Sequence, residues 1–351
     1  MDILQVMSHG RLSEICWIVL NTANGELYYS IARSAAIFLA AVVTFYAGIA
    51  RGYQKSTWSL IILTGLIFYV LGEKLTTYSP DQWVSIFTGF DFPVTRRRTY
   101  LGGVIGLTFG LLLAKTWLRF KQPVMDNYAI ALPLSMSVSR IGCLSAGCCF
   151  GTPTTLPWGI RYSSHTLAFQ THQMKGLIGT EDHFSLPIHP VQFYELAGCL
   201  IISWVVWRTR KQWKVSGDLF LFSALCYALL RFLVEFFRDP FSNLMLADSF
   251  HGLKGIQVVL LFVMVACLIT LVVREKRNRP SPVGLPDLKT APLRELLLVA
   301  CMTAIVVAGK NWFTQNELKT ILIYLIPVSA LILATNAGIL YRHYQSKSFR
   351  Q

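Results

Sequence analysis

Apolar residues in this chain fall into long blocks that are separated by short polar stretches. A helix that crosses a bilayer needs about 20 predominantly apolar residues, and most blocks approach or reach this length. The pattern therefore predicts an all-α polytopic membrane protein. The nine predicted membrane-spanning helices cover residues 30–50, 57–73, 100–116, 127–149, 190–207, 217–237, 255–273, 293–309 and 319–341.

Composition supports this fold class and excludes a soluble domain. Hydrophobic residues make up 54% of the 351 residues and charged residues only 14%, whereas a soluble domain carries about 25% charged residues. The net charge of +14 does not indicate a nucleic-acid partner, because the basic residues cluster at the ends of the apolar blocks. Such clustering is typical of membrane topology.

Basic loops predict the orientation of the chain in the membrane. Every second connection is rich in Lys and Arg, namely residues 51–56, 115–122, 208–214 and 274–279. The positive-inside rule places such loops in the cytoplasm. We therefore expect the N-terminus outside and the C-terminus in the cytoplasm. No cleavable signal peptide is expected, because the first 30 residues hold only one short apolar run.

A proline-rich segment, residues 280–292, predicts a cytoplasmic linker that divides the chain. The predicted parts are a seven-helix body over residues 1–279 and two extra C-terminal transmembrane helices with a basic tail over residues 293–351. Within the body, residues 150–189 are polar and mixed in character, which predicts a small extracytoplasmic subdomain.

The sixth predicted helix carries ionisable residues in an otherwise apolar segment. Tyr227, Arg231, Glu235 and Arg238 fall on one face of a helix, and Arg231 and Glu235 are spaced to pair at i, i+4. Ionisable residues inside a membrane are costly and indicate a functional site. The alternative is a structural ion pair that joins this helix to its neighbours.

Arg140 lies at a matching depth in the fourth predicted helix. It is 13 residues from the cytoplasmic start of its helix, and Arg231 is 14 residues from the start of its own. At about 1.5 Å per residue, both lie roughly 20 Å from the inner face. Because a guanidinium binds phosphate through two parallel hydrogen bonds, the two arginines predict a site for the phosphate of an anionic phospholipid.

The segment "HPVQFYE" opens the fifth predicted helix at the outer membrane surface. Pro190 suits the first position of a helix, which makes His189 the expected cap residue. Gln192, Tyr194 and Glu195 then lie on the first two turns. The cluster predicts a polar site at the outer surface, and the alternative is that His189 is only a polar cap.

Three cysteines, Cys143, Cys148 and Cys149, lie near the outer end of the fourth predicted helix. A turn at Gly147 would allow a disulfide, which a straight helix would not. Reactive thiols beside Arg140 and small packing residues are further interpretations. A metal site needs more ligands than this spacing offers, so we expect no metal and no cofactor.

The segments "SRIG", "HPVQFYE" and "YALLRFLVEFFRDP", in this order, resemble the bacterial phosphatidylglycerol–prolipoprotein diacylglyceryl transferase family. "LGGVIG" at 101–106 and "GIQ" at 255–257 are also similar, and the resemblance covers about residues 25–275. It implies an enzyme that moves a diacylglyceryl group from phosphatidylglycerol to the thiol of a lipoprotein signal-sequence cysteine. The implied partners are an anionic phospholipid and a lipoprotein precursor.

The resemblance also implies site residues. Catalytic roles are expected for Arg140, Arg231, Tyr227 and His189. Substrate-binding roles are expected for Tyr29, Gly102, Gly103, Gly142, Gln192, Tyr194, Glu195, Glu235 and Arg238. Cys143, Cys148 and Cys149 are candidate redox or nucleophilic thiols.

The chain departs from the family pattern at three positions. In the fourth helix, Cys143 and Cys148 stand where the family has asparagine and glutamate, and Leu101 stands where it has the histidine of a His-Gly-Gly segment. That histidine is a candidate base for the acceptor thiol. The sequence therefore predicts a transferase with a rearranged base. The alternatives are a paralogue with a different acceptor and a non-catalytic lipid-binding or thiol redox protein.

Overall fold

Helices account for most of the chain in the computed structural model. The residues that it describes are 18–20, 24–89, 99–213, 215–242, 249–250, 252–277, 292–310 and 312–348.

The helices of the described chain follow the apolar blocks of the sequence. In chain order they are α1 (Gly25–Ala50), α2 (Lys55–Leu75), α3 (Pro80–Gly89), α4 (Tyr100–Trp117), α5 (Tyr128–Ala146), α6 (Leu167–Met174), α7 (Val191–Thr209), α8 (Asp218–Val234), α9 (Gly255–Arg277), α10 (Pro292–Ala308) and α11 (Gln315–Ser348).

The described strands are short. Strand β1 (Ile18–Leu20) pairs in parallel with β2 (Ile160–Tyr162). Strand β3 (Ser249–Phe250) pairs antiparallel with β4 (Leu253–Lys254), directly before α9. These strands contribute connections and no extended sheet, so the chain is an all-α polytopic membrane protein.

Each of the nine predicted membrane-spanning segments coincides with a helix. In the described part of the chain, α1, α2, α5, α9 and α11 are long and apolar enough to cross a membrane, and α4 is a shorter apolar helix. Helices α7, α8 and α10 contain 17 to 19 residues. The sequence did not predict α3 and α6, which lie in connections between the long segments.

The chain divides into two compact units that do not follow chain order. Unit one combines residues 1–43 with 125–281, and unit two combines residues 44–124 with 282–351. The sequential division into body, linker and appendix stays a prediction, and the predicted linker, except Pro292, lies outside the described residues.

In unit one, the segment 150–189 contributes its own apolar cluster. Phe150, Ile160, Tyr162, Ala168 and Ile188 are buried against one another. The cluster includes the first and last residues of β2 and one residue of α6. This segment is therefore a packed element that can hold neighbouring polar groups in fixed positions.

His172 on α6 lies buried in this packed element. Its Nδ1 accepts a hydrogen bond from the backbone N–H of Leu186 at 3.2 Å, and Phe150 contacts its ring edge to face. Burial lowers the pKa of His172 from 6.5 to about 4, although the nearby Asp239 opposes and Lys175 supports this shift. The imidazole is therefore neutral in the folded chain near pH 6.

In unit two, small residues allow α2 and α4 to approach closely. A Cβ atom at Gly102 would lie 2.3 Å from the carbonyl oxygen of Gly72, and one at Gly103 would lie 2.6 Å from the ring of Tyr69. Substitution of Gly102 would force the helices apart because the clash is with backbone, and substitution of Gly103 would displace the Tyr69 ring. Gly102 and Gly103 thus have a packing role here.

Unit two also contains a buried ion pair between α2 and α11. Lys74 Nζ lies 2.8 Å from Glu317 Oε2, and both side chains are fully buried. Lys74 also donates to the backbone carbonyl of Trp312 at 2.7 Å. Glu317 accepts from the N–H of Thr314 at 2.8 Å, which caps the start of α11.

We predict that Lys74→Met destabilises the chain strongly, because it leaves the Glu317 carboxylate buried without its cation. Removing one partner of a buried pair costs about 3–5 kcal/mol. The measurement is thermal unfolding of the purified chain in detergent. The double variant Lys74→Met/Glu317→Gln should be more stable than the single variant, and Lys319→Met, at an exposed position, is the matched control. A single variant as stable as the control would contradict the prediction.

We predict that His172 makes the fold less stable as the pH falls from about 6.5 towards 4. The folded pKa lies below the unfolded value, so the unfolded chain binds the proton more readily in this window. In His172→Asn, whose amide oxygen can accept from Leu186, the unfolding temperature should depend less on pH than in the unaltered chain. His183→Asn, at an exposed position, should keep the original dependence. Equal slopes for His172→Asn and the unaltered chain would refute this role.

Candidate functional site

Glu195 is the centre of a buried group of charges in unit one. It lies on the second turn of α7, and its carboxylate contacts three arginines. The distances are 2.5 Å from Oε2 to Arg140 Nε, 2.8 Å from Oε1 to Arg231 Nη1 and 3.0 Å from Oε1 to Arg238 Nη2. The structure thus brings together Arg140 of α5 and Arg231 of α8, which the sequence placed at matching depth.

A second carboxylate, Glu235, extends this group at the end of α8. Its Oε2 lies 2.7 Å from Arg231 Nη2, so the structure contains the ion pair that the i, i+4 spacing predicts. Lys254 Nζ lies 3.4 Å from Glu235 Oε1. Lys254 also donates to the backbone carbonyls of Glu235 and Arg238, at 2.7 and 2.6 Å. It therefore satisfies carbonyl groups in the segment that directly follows α8.

The chain beyond α8 fixes Arg238. Its backbone pairs with segment 150–152, where the N–H of Thr152 donates to the carbonyl of Phe237 at 2.9 Å and the N–H of Asp239 donates to the carbonyl of Phe150 at 3.2 Å. Arg238 is almost completely buried. The packed segment 150–189 therefore helps to hold the third arginine against Glu195.

We call Arg140, Arg231, Arg238, Lys254, Glu195 and Glu235 the charge cluster. It contains four cationic and two anionic side chains, which leaves an excess of two positive charges. The side chains of Arg140 and Arg231 remain 13% and 11% exposed. Because an uncompensated charge within a membrane is costly, the cluster is suited to bind an anion at these two arginines.

Two tyrosines lie next to parts of the site, Tyr227 beside the charge cluster and Tyr29 beside the three cysteines. Tyr227 of α8 is close enough to interact electrostatically with Arg140 and Arg231. Tyr29 of α1 faces α5, where a Cβ atom on Gly142 would lie 3.0 Å from the Cα of Tyr29. Gly142 thus allows α1 to approach α5, and this approach places Tyr29 beside the site.

The three cysteines converge just beyond the end of α5. The helix ends at Ala146, and Gly147 and Cys149 both adopt left-handed backbone conformations, with φ of 65° and 55°. The sulfur atoms of Cys143, Cys148 and Cys149 lie within 4.8 Å of one another. A straight helix would hold Cys143 and Cys148 apart, so the turn at Gly147 creates this cluster.

Polar side chains hold the backbone of this turn. Gln192 Nε2 donates to the carbonyl of Cys148 at 2.6 Å and to the hydroxyl of Tyr162 at 3.3 Å. The Tyr162 hydroxyl donates to the carbonyl of Leu144 at 3.0 Å. Arg140 Nη1 lies 3.8 Å from the sulfur of Cys143. The cysteines and the charge cluster are therefore parts of one site.

His189 and Tyr194 belong to a neighbouring aromatic group. The expected cap position is wrong by one residue, because Pro190 is the cap and α7 begins at Val191. His189 Nδ1 lies 3.3 Å from the hydroxyl of Tyr194, and both rings contact Phe237. Burial lowers the pKa of His189 below its usual value of 6.5, so the imidazole is neutral at pH 7.

Some features of the site were not predicted from the sequence. Lys254 was not singled out, although it directly precedes the segment at 255–257 that resembles the family. Glu195 was expected in a polar site at the outer surface, and its contacts with three arginines were not predicted. Leu101, Gly102 and Gly103 lie in the first turn of α4, which belongs to unit two.

Comparisons with known proteins identify the family that the sequence resembles. The family model described as prolipoprotein diacylglyceryl transferase matches residues 26–274. Three relatives carry the name phosphatidylglycerol–prolipoprotein diacylglyceryl transferase. The Treponema denticola protein is 25% identical over 232 residues, with 56% of this chain and 67% of the relative covered. The Clostridium tetani protein is 27% identical over 213 residues, with 57% and 76% covered. The Nitratidesulfovibrio vulgaris protein (strain Miyazaki F) is 30% identical over 189 residues, with 52% and 62% covered.

The matched region contains the whole charge cluster and the three cysteines. It spans well over half of the 351 residues. Together with the apolar helices, the bacterial relatives indicate a multi-pass protein of the bacterial inner membrane. The chain belongs to the prolipoprotein diacylglyceryl transferase family.

Proposed function

We propose that this chain transfers the diacylglyceryl group of phosphatidylglycerol to the thiol of a lipoprotein signal-sequence cysteine and releases glycerol phosphate. The observation that supports this most directly is the charge cluster, which carries an excess of two positive charges. Two of its cationic side chains, Arg140 and Arg231, are partly exposed and can therefore contact an anion. The bacterial relatives are named for the same class of reaction.

The excess charge suits the course of this reaction. Phosphatidylglycerol carries one negative charge on its phosphodiester, whereas the released phosphomonoester carries roughly −1.5 to −2 at pH 7. Negative charge therefore grows on the phosphate as the carbon–oxygen bond breaks. Groups fixed in place for the developing charge stabilise the transition state more than the ground state.

Each part of the site takes a role in this proposal. Arg140 and Arg231 bind the phosphate, and Glu195 is a positioning residue that orients them. Tyr227 and Tyr29 orient the lipid beside them. Six further residues shape or support the site: Gly142, His189, Gln192, Tyr194, Glu235 and Arg238.

A paralogue that binds the same phospholipid but uses a different acceptor is the second candidate function. It is favoured by Leu101, which stands where the family has its histidine, and by Cys143 and Cys148 in place of the family asparagine and glutamate. These changes affect the acceptor side of the reaction, whereas the arginines that would bind the phosphate are present.

We predict that the chain restores lipoprotein maturation in a bacterium depleted of its own diacylglyceryl transferase, as followed by the gel shift of a prolipoprotein. Arg231→Gln should reduce the rate of transfer by roughly 100-fold or more, because removal of one donor to a developing oxyanion costs about 10² to 10³ in rate. Arg140→Gln should have a comparable effect for the same reason.

Arg208→Gln, at an exposed position near the end of α7, is the matched control and should leave maturation intact. Equal effects of the substitutions at Arg208 and Arg231 would show that the phosphate site is misplaced. If the unaltered chain reaches the membrane but does not restore maturation, the acceptor is a different molecule and the second candidate function is favoured.

We also propose the orientation that the basic loops indicate, with the N-terminus outside and the C-terminus in the cytoplasm, and with residues 150–189 on the outer side. We predict that a phosphatase reporter active only outside the cytoplasm is active when fused within the loop at 178–183 and inactive at 210–213. The reverse pattern would invert the topology and place the charge cluster near the cytoplasmic leaflet.

A further inference from the structure

The three cysteines have no role in binding the phosphate, yet they lie within the same site. Cys143, Cys148 and Cys149 are free thiols in the structure, and Cys148 and Cys149 are only partly buried. Their sulfur atoms lie within 4.8 Å of one another. Zinc binds thiolate sulfur at about 2.3 Å, which places the sulfurs of a tetrahedral site about 3.8 Å apart. The cluster is thus close to the geometry of a metal site.

The backbone of the turn has an unfavourable conformation, and this conformation brings the three sulfur atoms close together. Cys149 adopts φ of 55°, a left-handed conformation that is unfavourable for residues other than glycine. Such conformations persist where the surroundings impose them, and they concentrate at ligand-binding sites. Here Gln192 holds the carbonyl of Cys148 and Tyr162 holds that of Leu144. In metal sites, hydrogen bonds from neighbouring groups fix the orientation of the ligands, and these two contacts have the same effect on the turn.

Two arginines of the charge cluster lie beside the three cysteines. Arg140 Nη1 lies 3.8 Å from the sulfur of Cys143, and Arg140 and Arg238 both interact electrostatically with Cys149. Three thiolates around a divalent cation carry one net negative charge, which the positive excess of the charge cluster can compensate. The same excess would repel a metal ion held by neutral ligands.

We propose that Cys143, Cys148 and Cys149 bind Zn²⁺ through their sulfur atoms and that the fourth coordination position takes the acceptor thiol. The first half of this inference revises the sequence-based expectation of no metal. The second half rests on the proposed function. Three protein ligands with one open position are typical of catalytic zinc sites, whereas structural sites are closed by four.

The coordinated thiol supplies the nucleophile without a separate base. Binding to the metal releases the thiol proton to solvent, since a coordinating thiol is deprotonated. The sulfur then attacks the glyceryl carbon, so that the carbon–sulfur bond forms and the carbon–oxygen bond breaks. The electron pair of the broken bond leaves on the phosphate oxygen, beside Arg140 and Arg231. This step explains how a family member can function with Leu101 in place of the histidine.

The first experiment measures Zn²⁺ affinity with a competing indicator on the purified full chain in detergent, kept reduced with a phosphine. We expect one high-affinity site per chain. Cys143→Ser, Cys148→Ser and Cys149→Ser should each weaken Zn²⁺ binding by at least roughly 10- to 100-fold. This is the loss of affinity that follows when a group hydrogen-bonded to a metal ligand is changed, and loss of the ligand itself should cost at least as much. Cys301→Ser, at an exposed position in unit two, should bind like the unaltered chain.

A second measurement needs no substitution at the site. The unaltered chain loaded with Co²⁺ should show thiolate-to-cobalt charge-transfer absorption, and a signal peptide with a free cysteine should change this spectrum. The same peptide with serine in place of its cysteine should not. Absence of the charge-transfer bands from the folded chain would overturn the metal site, and identical spectra with both peptides would overturn the binding of the acceptor thiol.

The outcomes separate this inference from the proposed function. Arg231→Gln should reduce the rate of transfer by roughly 100-fold or more while Zn²⁺ binding remains. Transfer by a chain that binds no Zn²⁺ refutes the metal inference alone, and Zn²⁺ binding by a chain that transfers nothing refutes the proposed function alone. If alkylation and mass spectrometry show that two of the three thiols form a disulfide in freshly isolated membranes, the cluster is a redox pair and the metal inference fails.

Discussion

Burial of the Glu195 carboxylate is the constraint on which the site depends. A lone carboxylate away from water is prohibitively costly, so it must be paired with cations of good geometry. Here the partners come from α5 and from the end of α8, whereas Glu195 lies on α7. Three segments of unit one are therefore held in one arrangement by a single side chain, and the positions of the guanidinium groups are fixed before any substrate arrives.

In the proposed reaction, the fixed positions of the guanidinium groups would favour catalysis. The long arginine side chains lose their conformational entropy during folding and not during binding. A bound phosphate would therefore contact donors that are already oriented. Glu195 neutralises only part of the positive charge, and Glu235 is shared between Arg231 and Lys254. The remaining excess of two charges is available to an anion. A fully neutralised cluster would hold the helices equally well but would have little affinity for a phosphate.

The helices and the pairing of Arg231 with Glu235 could be predicted from the sequence because they depend on local spacing. The apolar blocks located the long helices, and the i, i+4 rule located the Arg231–Glu235 pair. The contacts of Glu195 and Lys254 depend on which helix faces meet, and spacing within one helix does not determine this. The convergence of the cysteines depends on left-handed backbone at Gly147 and Cys149, which no periodicity indicates.

The ion pair of unit two shows how structural and functional charges differ in this chain. Lys74 and Glu317 match one cation with one carboxylate, are fully buried and carry no net charge. Such a pair joins two helices and leaves nothing for a ligand. The charge cluster has the opposite properties, since it carries excess charge, remains partly exposed at Arg140 and Arg231, and lies beside three thiols. Both sites contain buried ion pairs, so burial of charge alone does not identify the functional site. The imbalance of charge, together with exposure, distinguishes the charge cluster as the candidate functional site.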